Sequence, residues 1–427
     1  MKNDELLDMI GSTEDALLEK AEAPAKTPKL RWKRYAALAA CLVLFASGAA
    51  WFLSMRKPLD TLNDSSLGGD VTLSPTEFHG DLPMIEFNFA AGDMGFEGYE
   101  FYDISELKTG NPWHEDANLT TLPVFENYHA YNRDNTLSHP ADEARMLERL
   151  REAAAVVGAE IDETALVRHN THYGSLTLEE LRDKFASEEE ALAYMEQGSF
   201  YMLEMPADDH RFTVDAWLNT RIEFTPSIRL PEGMGFGHHD AYAQYVTSAE
   251  YLEAAYLGAF GMEEPTACIE GGDYNIYGEQ SYQICFYDAA GDLTAQILSY
   301  NFDTVKFACD DVRQLWLIDR KQTDRTHKVG DYPILTPEEA EELFLRGEYL
   351  TTVPEEYSTQ DMSAAKIELI YRTGNSEKYY LPYYRIYAEI EPDFDRDMET
   401  RCFGVFYVPA VRPEYLQHVE IWDGGFN

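Results

Sequence analysis

Basic residues are scarce in this sequence: 34 Lys and Arg stand against 77 Asp and Glu in 427 residues, a formal charge of −43. So acidic a chain repels nucleic acid and anionic headgroups and favours cations or basic partners. No nucleic-acid partner is expected, and the plainest use of the charge is to keep an exported domain soluble and monomeric. Cysteine is scarce too, at five residues: Cys41, Cys268, Cys285, Cys309 and Cys402. None forms C-x-x-C, which argues against a zinc ribbon or a thioredoxin-like motif. The last four are too dispersed for a disulfide scaffold, although they leave room for one bridge. Cys285 falls in a strand pattern, where a single cysteine behaves as a small buried hydrophobe. G-x-S-x-G, Walker and dinucleotide glycine patterns are missing. Aromatics are not: 28 Tyr, 22 Phe and 6 Trp, within 45% hydrophobic residues, can build real cores and exclude a disordered polyanion. The length suits two or three domains.

One long uncharged run is present, over residues 35–55. As a helix it is roughly 30 Å long, the thickness of a bilayer core. Tyr35 and Trp51 suit the interfacial aromatic belts. Lys26, Lys29, Arg31, Lys33 and Arg34 precede it, and only Arg56 and Lys57 follow closely. The positive-inside rule then predicts a single-pass cell-membrane protein with residues 1–34 cytoplasmic and the C-terminal domain extracellular. A cleaved signal peptide fits less well, because the run begins late and no clear A-x-A site follows. In the tail, residues 3–10 and 12–23 read as short helices broken by Gly11 and ended by Pro24 and Pro28. A segment this small buries no core alone. It is either free or docks, through residues 1–23, on a cytoplasmic partner, as in an anti-sigma relay.

Residues 56–80, with Pro58, Gly68, Gly69 and Pro75, read as a linker. Residues 81–329 are expected to form an extracytoplasmic α+β domain. Strands are predicted at 84–89 and 99–104 and one or two over 211–224. Helices are predicted over 140–157, 176–185, 187–197 and 247–260. Residues 282–287, 293–300, 304–308 and 314–318 read as a four-stranded antiparallel meander. Residues 330–427 form a second α+β domain. Thr336-Pro337-Glu338-Glu339 supplies an N-cap, an N1 proline and a capping-box glutamate, and Gly347 ends the helix. Strands at 366–372, 380–390 and 403–408 follow, giving a helix plus a three-stranded sheet. The expected class is therefore α+β: an N-terminal transmembrane helix, then antiparallel sheets with packed helices.

The last unit resembles the PepSY-type module of extracytoplasmic regulators, with the Yyc-type membrane-anchored regulators of a cell-wall histidine kinase as the named comparison. The residues that carry the resemblance are Thr336-Pro-Glu-Glu-Ala340, Leu345-Arg-Gly-Glu-Tyr349 and Tyr383-Tyr-Arg-Ile-Tyr387. The whole chain also resembles uncharacterised single-pass membrane proteins of anaerobic Firmicutes, through its acidic tail, basic cluster and Gly272-Asp-Tyr-Asn-Ile-Tyr277. The resemblance implies topology and a regulatory setting, and no catalytic residue.

Candidate chemistry is thin. Ser363-Ala-Ala-Lys366, Ser299-Tyr-Asn301 and Lys108-Thr-Gly110 match penicillin-binding motifs in reversed order, and the first runs into a strand. Asp393-Phe-Asp-Arg-Asp397 opens like a calcium loop, but Met398 and Gly404 stand where Gly and Glu are needed. His169 with His172, and His238 with His239 and Asp240, are metal-like pairs that read better as loop histidines. Tyr379, Tyr380, Tyr383, Tyr384 and Tyr387 could stack on wall sugars. Strand alternation instead places Tyr383 and Tyr387 on one face and Tyr380 and Tyr384 on the other, as sheet packing. No catalytic residue and no cofactor is assigned, and metal ligands stay open. The expected function is a membrane-anchored regulatory or binding protein. Its expected partners are the bilayer through 35–55, a membrane or cell-wall component, and a cytoplasmic protein. The alternatives are an exported hydrolase using paired carboxylates and a calcium-binding surface protein.

Overall fold

A computed structural model describes residues 82–89, 96–132, 136–170, 187–190, 199–207, 209–357, 362–392 and 399–418. The chain divides into two units, Met1–Ser65 and Ser66–Asn427; the account below concerns the second. Its described residues hold eighteen strands and four α-helices. The expected α+β class is corrected to a strand-dominated fold of four sheets, with two, eight, three and five strands. The single-pass membrane expectation is corrected with it: among the described residues no helix is long and apolar enough to cross a membrane. The run over 35–55 that carried it lies outside the described residues, as do the tail, the linker and most of 176–197.

The eight-stranded sheet is antiparallel. One half comes from β4 (Val167–Asn170), β5 (Phe200–Pro206), β6 (His210–Asp215) and β7 (Thr220–Ile228). The other comes from β8 (Pro265–Tyr274), β9 (Gln280–Asp288), β10 (Asp303–Cys309) and β11 (Leu315–Gln322). The order 4-5-6-7-11-10-9-8 joins two four-stranded meanders through their last strands. Each meander is preceded by a helix, α1 (Glu143–Val156) and α2 (Tyr242–Tyr256). In α1 the Asp142 carboxylate accepts from the Ala144 and Arg145 amides, and Met146, Leu150, Ala153 and Ala154 face inward at helical spacing. Both helices cover the same face of the sheet. There they bury Leu203, Phe212, Val214, Ile222, Ile284, Phe286, Val305 and Phe307.

The meander expected over 282–318 has one error. Residues 293–300 are part of α3 (Leu293–Phe302), not a strand. Gly291 breaks the preceding strand at φ +91, and Asp292 caps the helix by accepting from the Ala295 amide. Ile297 and Phe302 then bury themselves on one side.

The C-terminal sheet has five strands where three were expected. Its spine is β14 (Ala364–Tyr371), β16 (Pro382–Ile390) and β17 (Arg401–Pro409). The far edge of β17 is shared by β13 (Leu350–Thr351) and by β2 (Gly98–Phe101), some three hundred residues upstream. Pairing at that separation leaves no local trace in sequence. β1 (Ile85–Phe87) runs parallel to β18 (Leu416–His418). β3 (Thr121–Glu126) lies between β12 (Lys328–Pro333) and β15 (Tyr379–Tyr380).

This sheet is buried on both faces. Tyr384, Ile386, Phe406 and Val408 pack with α3 and α4 (Pro337–Leu345), while Tyr383, Tyr387, Val405 and Tyr407 pack with β1, β2, β12 and β18. The tyrosine alternation read from sequence holds, and Tyr380, Tyr383, Tyr384 and Tyr387 are buried. They offer no sugar-stacking face. Hydroxyl partners explain tyrosine in place of phenylalanine at Tyr384, which donates to the Leu335 carbonyl at 2.7 Å, and at the neighbouring Tyr407, which donates to Glu97 at 2.7 Å, but not at Tyr383. Thr336, Pro337 and Glu339 open α4 as read, with the reciprocal capping box formed.

Candidate functional site

The face of the eight-stranded sheet turned away from α1 and α2 is polar where the other is apolar. Along β10, Val305 and Phe307 enter the core, so Thr304 and Lys306 point the other way. On β11, Lys321 stands opposite Thr304, and Asp319 opposite Lys306. Lys306 also stands opposite Cys285 on β9, and Cys285 opposite Cys268 on β8. This face and the edge of the C-terminal sheet enclose a cavity of about 350 Å³, the size of a small-molecule site. Lys306, Lys321, Glu270 and Cys285 line one side, and Tyr371 and Arg385 the other.

The segment over 107–109 closes the top. Lys108 and Gly271 exchange two backbone hydrogen bonds of 3.0 Å. Gly110 follows at φ +61, where a side-chain carbon would lie 2.4 Å from the Cys268 Cβ, so only glycine fits. Tyr300 of α3 reaches across. Its hydroxyl is 2.9 Å from the Thr109 carbonyl and 3.0 Å from Glu270 Oε1, and its single proton serves one of them at a time. Burial, then the Glu270 charge, push that phenol well above its ordinary range, so it stays protonated.

The charges divide into a committed group and a free one. Glu368 takes Arg385 Nη2 at 2.7 Å, the Thr109 hydroxyl at 2.7 Å and Lys366 Nζ at 3.1 Å. Burial opposes its ionisation, but Arg385, Lys366 and these hydrogen bonds prevail and hold the carboxyl below its usual range. Lys306 and Lys321 form no ion pair with any described carboxylate. Lys321 donates to the Thr373 hydroxyl at 2.7 Å. Burial, and next the Lys306 charge, push its ammonium down to about 8. Glu270 and Asp273 line the cavity against Lys108, Lys306, Lys321 and Arg385, so basic groups are in excess here in a chain with more than twice as many acids as bases.

A second cavity, of about 440 Å³, opens between α1 and the end of β11. It is larger, and most of its charges are paired: Arg145 with Asp324 at 2.5 Å and Arg149 with Glu152 at 2.7 Å, while Arg325 lies over the Phe302 ring. We therefore place the site at the lysine cavity.

Cys268 and Cys285 form a disulfide across directly opposed positions, the bridge for which the sequence left room. Their sulfurs and the Glu270 carboxylate lie within 4.8 Å of one another. While the disulfide is closed it has no thiolate to offer a metal. Cys309 lies outside the disulfide, and burial pushes its thiol up to about 11, which leaves it unreactive.

The residues singled out from sequence do not assemble a second centre. His169 is buried, with Nε2 3.1 Å from Glu204; His172 lies outside the described residues. His239 is 3.3 Å from Glu279, while Asp240 binds Arg313. Asp393–Asp397 lies outside the described residues. Of the penicillin-type matches, Lys108 and Asn301 line the cavity but Ser363 does not. The Ser299 hydroxyl is taken by the Asp288 amide. Sequence reading missed Lys306, Lys321, Glu270, Glu368 and Arg385. The one available signal was a lysine inside the Val305-Lys306-Phe307 alternation.

No family model and no curated protein matches the chain. A solved structure of an uncharacterized protein from Eubacterium rectale ATCC 33656 aligns over 69% of this chain and 85% of its own, at 12% identity and a TM-score of 0.31. A likeness of that strength carries no argument about fold or function.

Proposed function

We propose that this is a binding protein whose lysine cavity captures a small anion, carboxylate or phosphate in character. The observation that carries the reading is the pair of unneutralised lysines, Lys306 and Lys321, facing one small cavity of an otherwise acidic chain. In a partly desolvated site, a lining of four basic side chains against the two carboxylates of Glu270 and Asp273 favours an anion. Glu368, the deeply buried carboxylate beside the cavity, is committed to Arg385 and Lys366, while burial pushes up the Asp273 carboxyl in the lining, so binding is the primary reading and acid–base turnover through Asp273 the second.

The test is calorimetry at pH 7 with inorganic phosphate, citrate and pyruvate. At least one should bind saturably, with affinity falling as salt rises. Lys306→Met should weaken that binding by at least tenfold, roughly the effect of losing one charge-assisted contact. If none of the three binds, or the variant binds as well as the parent, the reading fails.

A further inference from the structure

Lys321 differs from the other lysines of the described chain in three respects that together concern reactivity. It lines the cavity, its one hydrogen-bond partner among the described residues is the neutral Thr373 hydroxyl, and a second lysine shares its face of the sheet one residue pair away. Lys366 and Lys378 are ion-paired with Glu368 and Glu86, and Lys328 with Asp331. Resting on the anion-binding reading above, we propose that Lys321 is a nucleophilic amine that captures a 2-oxo acid as an imine, with Lys306 holding the carboxylate.

The chemistry needs a neutral amine near neutral pH and a neighbouring cation, the combination by which lysines are activated for imine formation. Burial and the Lys306 charge lower the ammonium of Lys321 far enough to leave a substantial neutral fraction at pH 7 to 8. The titratable groups lining the cavity with it are Lys306 from its neighbouring strand, Glu270 and Asp273 from β8, Tyr99 from β2, Lys108 from the segment that closes the top, Tyr300 from α3, and Tyr371, Tyr387 and Arg385, paired with Glu368, from the opposing sheet. Glu270 opposes the shift and is outweighed. In the step itself, the Nζ lone pair forms a bond to the carbonyl carbon and the carbonyl oxygen takes a proton, giving a carbinolamine. Both amine protons and that oxygen then depart as one water, leaving a carbon–nitrogen double bond. No oxidant or reductant is needed, and the reaction reverses when water returns. The proton that the carbonyl oxygen takes comes from the attacking nitrogen, and the Tyr300 hydroxyl stays engaged with the Thr109 carbonyl and Glu270.

The test treats the intact chain with pyruvate and cyanoborohydride, which reduces imines, and maps modified lysines by mass spectrometry. One N-carboxyethyl group at Lys321 is expected, saturable in pyruvate and outpacing the exposed Lys328 and Lys378 by at least tenfold. The rate should rise through pH 8, where an ordinary lysine would need a pH above 10. Lys321→Arg and Lys321→Met, each checked for folding by circular dichroism, should abolish the fast adduct. Lys306→Met should shift its pH profile upward, which a purely structural role of Lys306 would not do. Modification that tracks exposure across all lysines overturns the proposal. Saturable pyruvate binding by calorimetry with no adduct at Lys321 also overturns it while leaving anion binding intact. Absence of both binding and adduct removes both.

Discussion

The two large sheets of this protein are built from the same antiparallel alternation and differ in what covers them. In the C-terminal sheet both faces are covered, and β17 reads as a near-continuous apolar run in which Cys402 to Val408 are all buried. In the eight-stranded sheet helices cover one face, so β10 alternates Val305 and Phe307 with Thr304 and Lys306. The second arrangement leaves charged side chains over a cavity, and those side chains form the candidate site. Coverage on one side, and not a catalytic motif, is what made room for function.

The sharpest test of that contrast uses neighbouring residues on one strand. Phe406→Ala and Val405→Ala face opposite cores, and both are fully buried. Phe406→Ala should cost about 3–5 kcal/mol and Val405→Ala about 2 kcal/mol by denaturant titration. On β10, Phe307→Ala should cost about 3–5 kcal/mol, whereas Lys306→Ala should change stability by less than about 0.5 kcal/mol. If Lys306→Ala were as damaging as its neighbour, the wet face would be a structural one and the contrast would break.

A buried charge on the covered sheet should behave differently from one in the cavity. Glu368→Gln removes the counter-charge of Arg385 and Lys366, and should cost about 3 kcal/mol at pH 7. The carboxyl is held low in the fold, so its contribution is present above the ordinary glutamate range and is lost as pH falls through the lowered value. Parent and variant should therefore converge in acid. Lys321 gives a slope of the same sign in a higher pH window, from the opposite cause: its environment disfavours the charged form, where that of Glu368 favours it. Its ammonium is pushed down to about 8 in the fold, so from pH 8 to about 10.5 the unfolded chain holds the extra proton. Parent stability should rise with pH over that window relative to Lys321→Met, by up to about 3 kcal/mol. A flat difference would mean that Lys321 is solvated like a surface lysine.

Sequence reading recovered what local pattern determines. The α4 capping box, the split of Tyr383 and Tyr387 from Tyr380 and Tyr384, and the strands β14, β16 and β17 all depend on spacing within a few residues. It failed where a single capping residue or a distant partner decides. Leu293 to Phe302 has a strand-like composition, yet Asp292 and Gly291 start a helix there. β2 joins β17 across about three hundred residues, and the cavity draws on segments around 99–109, 270–285, 300–306, 321 and 370–387. A lysine on a half-buried strand looks the same in sequence whether water or a cavity lies beyond it. Only the opposing sheet distinguishes the two.

The weakest expected effect calibrates the others. Arg401 and Glu389 form a bidentate pair across β16 and β17 at 2.7 and 2.5 Å, with both side chains about half exposed. Its geometry is as good as that of Arg385 with Glu368, and the two pairs share strand β16. If geometry set the energy, the two pairs would matter equally. Solvent should decide instead: water already stabilises the separated charges at the surface, so Arg401→Ala should cost less than about 1 kcal/mol and should cost still less in high salt. Glu368→Gln, with its carboxylate almost wholly buried, should keep most of its cost in the same salt. Equal costs, or equal salt dependence, would show that the interior beside the cavity is as wet as the surface, and the case for two under-neutralised lysines drawing in an anion would lose its electrostatic basis.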